Sequence, residues 1–145
     1  MTRQEYKDIY DIVGIAQEVH ATLGRGMAES VYQEAMAIEL GMAGMEAERE
    51  KPLRMSYKGV ILEKMYYADF YYHGIIVELK AVDRIISDHR AQLFNYMRIT
   101  THNRGLLLNF GEKRLRAERY LYTSEDDKFI LLTQDNYKKY IIDQE

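Results

Sequence analysis

The spacing of apolar residues changes along the chain and outlines its elements. Over residues 3–23, Ile9, Ile12, Val13, Ala16, Val19 and Leu23 recur every three or four positions, which predicts an amphipathic helix. Leu23-Gly24-Arg25-Gly26 breaks it, because paired glycines favour a sharp turn. A second helix is expected over about 27–40, with Val31, Ala35, Ile38 and Met36 turned inward and Gly41 and Gly44 ending it.

Residues 46–80 change character. Pro52 and the Tyr57-Lys58-Gly59 turn separate β-rich runs at 50–57 and 59–63, and two more, 66–72 and 75–80, flank His73-Gly74. Helical spacing returns from Ser87 or Asp88 to about 101, with Asp88 a suitable N-cap or first-turn acid. Residues 105–110 are continuously apolar, as a buried central strand would be. A further strand is expected over 114–122, then a short one near 129–132 and a closing helix from about 134. The order predicts one mixed sheet flanked by helices, an α/β arrangement in a single domain over 1–145.

Composition narrows the class. With 145 residues, 47% apolar and 13 tyrosines, the chain can bury one substantial core. No apolar run approaches the roughly 18 residues a membrane span needs. The opening residues lack the basic-then-apolar order of a signal peptide, so a soluble, cytoplasmic protein is expected. The absence of cysteine excludes disulfides and thiolate sites. The net charge of −3 does not advertise a nucleic-acid binder, but it is unevenly spread. Residues 1–79 carry 8 Lys/Arg against 13 Asp/Glu, residues 80–119 carry 9 against 4, and residues 120–145 carry 3 against 6. The basic middle segment either tracks a phosphate backbone or is an ordinary solvated surface.

The chemistry concentrates between Tyr66 and Lys80. If His73-Gly74 forms a two-residue hairpin loop, Tyr72 pairs with Ile75, Tyr71 with Ile76, Phe70 with Val77 and Asp69 with Glu78. Opposed residues share a face, and Lys80 joins them two positions beyond Glu78. Like charges opposed this closely repel; Lys80 offsets part of that cost, and a hard divalent cation would offset more. Such a cation lowers the pKa of bound water and stabilises charge growing on a phosphate. On spacing alone, Asp69, Glu78 and Lys80 read more readily as an ordinary cross-strand salt-bridge cluster.

The surroundings add to this. Asp69 followed by Glu78-Leu79-Lys80 resembles the PD-(D/E)XK nuclease signature, and Gln92-Leu93-Phe94-Asn95-Tyr96 resembles the QxxxY element of its RecB-like branch. Gly26-Met27-Ala28-Glu29-Ser30-Val31-Tyr32 is similar to the motif that names the GxxExxY family, as are Val19-His20, Leu23-Gly24 and the GLLLNFG run at 105–111. The resemblance spans about residues 8–120 and leaves 121–145 as an extension of open role. It implies a restriction-endonuclease-like fold and a Mg²⁺- or Mn²⁺-dependent nuclease. By that resemblance Asp69, Glu78, Glu29 and the backbone carbonyl of Leu79 would hold the metal. Lys80 would be the catalytic lysine, Gln92 would place substrate or Lys80, and Tyr96 would support the same helix.

Weaker candidates for substrate contact are His20, Arg84 and Arg90, since guanidinium groups pair bidentately with phosphate. His20 is better explained as a helix-terminal residue bonded to backbone. Tyr67 and Tyr71, on the face expected for Asp69, could stack bases or simply fill strand positions. The expected partner is nucleic acid, DNA first, with a homodimer or a protein partner left open. The rival reading is a non-catalytic nucleic-acid-binding or protein-interaction module on the nuclease fold.

Overall fold

A computed structural model describes residues 1–100 and 102–142. Helix α1, Arg3–Leu23, has the bounds its periodicity predicts. Its start is fixed by a capping box: Glu5 N donates to Thr2 Oγ1 at 3.1 Å and Thr2 N to Glu5 Oε1 at 2.9 Å. Helix α2, Glu29–Met42, lies where expected, with Met36 buried and Ala35 packed on the core as expected, but its buried face is rotated away from Val31 and Ile38. Tyr32, Gln33, Met36 and Leu40 point inward, whereas Val31 and Ile38 are 39% and 58% exposed. The reason is Tyr32, whose ring stacks on Phe110 at 4.6 Å and whose hydroxyl donates to the Gly24 carbonyl at 2.6 Å. An aromatic anchor that is both stacked and hydrogen-bonded outweighs two exposed aliphatics in setting the rotation.

Strand β1 is Glu48–Tyr57; the two runs expected at 59–63 and 66–72 are one strand, β2, Val60–Tyr72. They are followed by β3 Ile75–Lys80, α3 Ser87–Thr100, β4 Arg104–Asn109, β5 Arg116–Thr123 and β6 Lys128–Leu132. Thr101, the last residue of the expected third helix, lies outside the described residues. The closing helix expected from 134 is a single 3-10 turn, Tyr137–Tyr140, among the described residues. The strands form one six-stranded sheet in sequence order. The pairs are antiparallel except β3–β4, which is parallel because α3 supplies the crossover. Strand β6 pairs with β5, so the segment beyond 120 completes the sheet.

Alternation along β3 and β4 divides the core between two faces. Ile75, Val77, Leu79, Leu106 and Leu108 pack with α1 and α2; Ile76 and Leu107 pack with α3. Both central strands are therefore apolar nearly throughout, and Glu78 stands out among them. The β1–β2 ribbon departs from this alternation. Phe70 and Tyr72 lie on the α1–α2 face, while Ala68 and Tyr66, of the same parity, lie on the α3 face. The pairing register is the same on either side, Arg49↔Phe70 and Lys51↔Ala68, so the switch falls at the Glu50–Asp69 position. Glu50 there has φ 55°, in the left-handed region.

Candidate active site

The hairpin around His73-Gly74 has the predicted register: Tyr72 opposes Ile75, Tyr71 opposes Ile76 and Phe70 opposes Val77. Both turn residues have positive φ, 47° and 84°. Gly74 adopts this freely, while His73 is held by stacking on Tyr72 and by a 3.2 Å contact from Nδ1 to Asp8 Oδ2. The expected Asp69–Glu78 pair ends the ladder differently. Their carboxylates replace backbone partners: Asp69 N donates to Glu78 Oε1 at 3.2 Å, and Leu79 N donates to Asp69 Oδ2 at 2.7 Å. The strands part here, and the two acids sit in the opening.

Around this opening the structure gathers the remaining groups. Lys80 Nζ donates to Gln92 Oε1 at 2.9 Å, and Gln92 Nε2 donates to Tyr96 Oη at 3.0 Å, so helix α3 holds the ammonium through a two-bond relay. Gln92 and Tyr96 are one turn apart, as their spacing predicts. Glu29 enters from the first turn of α2, close enough to feel both Lys80 and Asp69. The Gly26–Tyr32 motif explains its placement. Met27 N donates to Tyr32 Oη at 3.2 Å, which ties the loop before α2 to the core and fixes where the first turn begins.

The electrostatics are those of crowded acids. Burial pushes the Glu78 carboxyl well above its usual range, and the neighbouring Asp69 pushes it further. Asp69 is raised by burial despite bonds from Leu79 and Gln33, and Glu29 is raised by burial with Lys80 opposing. A hard cation suits this donor set, since Mg²⁺ binds oxygen and commonly takes only one or two carboxylates with water for the rest. Among the described residues no three acidic or imidazole groups converge tightly enough to cage an ion unaided. Asp69 and Glu78 form the close pair, and Glu29, exposed on the first turn of α2, lies within electrostatic reach of Asp69.

Beside Gln92 and Tyr96 opens a groove of about 900 Å³ between α3 and the β1–β2 ribbon. Arg54 and Tyr66 line its ribbon wall; Gln92, Asn95, Tyr96 and Arg98 line the helix wall. Tyr66, whose ring lies 5.7 Å from that of Tyr96, is the ribbon tyrosine that faces the site. Tyr67, expected there, is 49% exposed on the other side, because the alternation switches at Asp69. Tyr71 packs in the α3-side core near His102 and Lys51.

Other candidates are engaged elsewhere. His20 Nε2 lies 2.9 Å from the Glu112 carbonyl and so carries the proton there, the structural role of a helix-terminal histidine. Arg90 grips Glu118 through Nε at 2.7 Å and an amino group at 2.8 Å, so its guanidinium is turned to β5. Arg84 is exposed in the loop after β3.

Three positions escaped the sequence reading. Gln33 Nε2 donates to Asp69 Oδ1 at 2.9 Å and to Glu50 Oε1 at 2.7 Å, and Arg49 Nε donates to Gln33 Oε1 at 2.9 Å. Gln33 stands four residues after Glu29 on one helix face, a spacing that could have flagged it. Glu50 and Arg49 offer no such signal. A fourth, Asn109, fixes the loop after Lys80. Its amide accepts from Val82 N at 3.0 Å and donates to Val82 O at 2.9 Å. Gly111 sits against this loop so closely that a Cβ there would meet the Val82 backbone.

A family model described as the PD-(D/E)XK nuclease superfamily matches residues 6–120, and the chain belongs to that superfamily. Among solved structures, the crystal structure of SSO0001 is similar, with a TM-score of 0.51 at 17% identity. The match covers 80% of this chain and 57% of the other, so this chain spans little more than half of that structure's length. At that identity the likeness concerns fold alone, and it agrees with the mixed sheet described above. A search of curated proteins finds no match. Among the described residues no helix is long and apolar enough to cross a membrane.

Proposed function

We propose that this domain is a Mg²⁺- or Mn²⁺-dependent nuclease that hydrolyses phosphodiester bonds of nucleic acid, DNA first among the substrates to test. The observation that carries the reading is the buried Asp69–Glu78 pair in the strand opening, with Lys80 held beside it by Gln92. Asp69, Glu78 and the Leu79 carbonyl would hold the ion, with Glu29 completing the set from α2. When bound, the ion supplies Lewis acidity toward water and phosphate. The chain does the rest. Lys80 Nζ, fixed on Gln92, presents an ammonium where a phosphate oxygen or an attacking water can take its hydrogen bond. Lys80, which can only donate, takes the Gln92 amide oxygen, and Tyr96 accepts from the amide nitrogen and so holds that side chain in place. Burial of Glu78 excludes bulk water and strengthens every charge interaction in the opening.

Purified protein incubated with Mg²⁺ or Mn²⁺ and labelled DNA and RNA, single- and double-stranded, is expected to cleave at least one of them. Lys80→Ala should lower the rate by at least about 100-fold while Mn²⁺ still binds. Glu78→Ala should abolish cleavage and weaken Mn²⁺ binding together. Cleavage that survives either substitution would overturn the assignment, and tight nucleic-acid binding without cleavage would favour a non-catalytic module.

A further inference from the structure

Arg49 and Glu50 are neighbours in a β-strand, yet both side chains end on the same glutamine of α2: Arg49 Nε on Gln33 Oε1 and Glu50 Oε1 on Gln33 Nε2. In a regular strand, consecutive side chains point to opposite faces, so one helix cannot receive both. The left-handed φ of 55° at Glu50 removes the conflict. Such a conformation is costly for a residue with a Cβ and persists only where the surroundings impose it. What it secures is the orientation of one amide. Arg49 can only donate, so it fixes which end of Gln33 is oxygen; the nitrogen is left with Glu50 and Asp69 Oδ1. Gln33 is buried, which leaves its amide little freedom once these partners are set.

We infer that Glu50 is a positioning residue: through Gln33 it fixes the Asp69 carboxylate in the orientation that receives the divalent ion. This rests on the metal site proposed above. Groups one bond removed from metal ligands set ligand orientation and commonly change affinity by roughly 10- to 100-fold. The strained backbone at Glu50 is then stability given up to hold the site, and glycine should recover it while losing the function.

The test combines Mn²⁺ calorimetry with thermal unfolding of the same variants in chelator. Glu50→Gly is expected to bind Mn²⁺ about 10-fold or more weakly than wild type, with a Tm equal to or above it. Glu50→Gln keeps an oxygen for Gln33 and should recover most of the affinity. Gln33→Leu should lose affinity as Glu50→Gly does. Asp69→Asn is the control for the site itself. If it weakens Mn²⁺ binding but Glu50→Gly does not, the positioning role is overturned and the metal site stands. If Asp69→Asn binds as wild type does, both fall. A Glu50→Gln variant as weak as Glu50→Gly, or a Glu50→Gly variant that loses Tm, also overturns the role.

Discussion

The Gln92 amide has two ends, and the structure uses both: the oxygen takes Lys80 and the nitrogen gives to Tyr96. Removing the amide frees the ammonium from its station, so Gln92→Ala should lower kcat by about 10- to 100-fold. Tyr96→Phe should cost less, because Lys80, a pure donor, still demands the amide oxygen. Steady-state kinetics on a cleaved oligonucleotide would check the ranking, and equal losses would mean Tyr96 acts directly. At this scale the sequence was informative where backbone geometry was regular. The meeting of Asp69, Glu78 and Lys80 follows from counting around a two-residue turn; Gln92 and Tyr96 come from the resemblance to the QxxxY element, and one turn of helix gives only their shared face. Glu50 did not, since nothing in a glutamate announces a positive φ. Nor did Arg90's true partner, because Glu118 lies 28 residues away on a strand that only the folded sheet brings alongside.

Elements were legible to the extent that their periodicity was local. Helix α1 is legible to its ends from its apolar stripe and the glycines that follow, and the capping box at Thr2 agrees with that start. Helix α2 has the expected position, with Met36 and Ala35 on the core side as expected, but Val31 and Ile38 are turned out, since the stacking of Tyr32 on Phe110 depends on a residue 78 positions on, which spacing along the helix cannot reveal. Helix α3 is tied to β5 by Arg90 and Glu118, and this bond gives stability a pH dependence. Arg90 holds the Glu118 carboxyl below the ordinary range, with the Tyr120 hydroxyl assisting against burial. A carboxyl lowered by folding contributes stability in full above its unfolded pKa, and the contribution is lost as pH falls through its folded one. Glu118→Gln should therefore cost about 1–2 kcal/mol at pH 7, the lower part of the range for a charged hydrogen bond because Arg90 is partly exposed. The Tm difference from wild type should shrink as the pH is lowered below about 4. A difference constant from pH 3 to 8 would show that packing, not charge, makes the contact.

Across the whole molecule, four of the nine cations in the basic segment at 80–119 are tied up in ion pairs. Arg90, Arg98, Arg104 and Arg116 pair with Glu118, Asp127, Glu5 and Glu112. The pull on a phosphate backbone must then come from cations outside those pairs, and the groove beside Gln92 holds one. Arg54 is exposed on the ribbon wall and forms no ion pair among the described residues, and Tyr66 lies on the same wall with Lys64 5.6 Å from its ring. A strand lying in this groove would pass Gln92 and Tyr96 and so approach Lys80. Arg54→Ala should raise KM with kcat nearly unchanged, and lower the salt dependence of binding by about one unit of log–log slope, the signature of one lost phosphate contact. Tyr66→Ala should raise KM without changing that slope, since stacking is not an exchange of counterions. Fluorescence anisotropy across a salt series separates the two. Unchanged binding in both variants would move the substrate path to another face, leaving the Asp69–Glu78–Lys80 chemistry to be served from there.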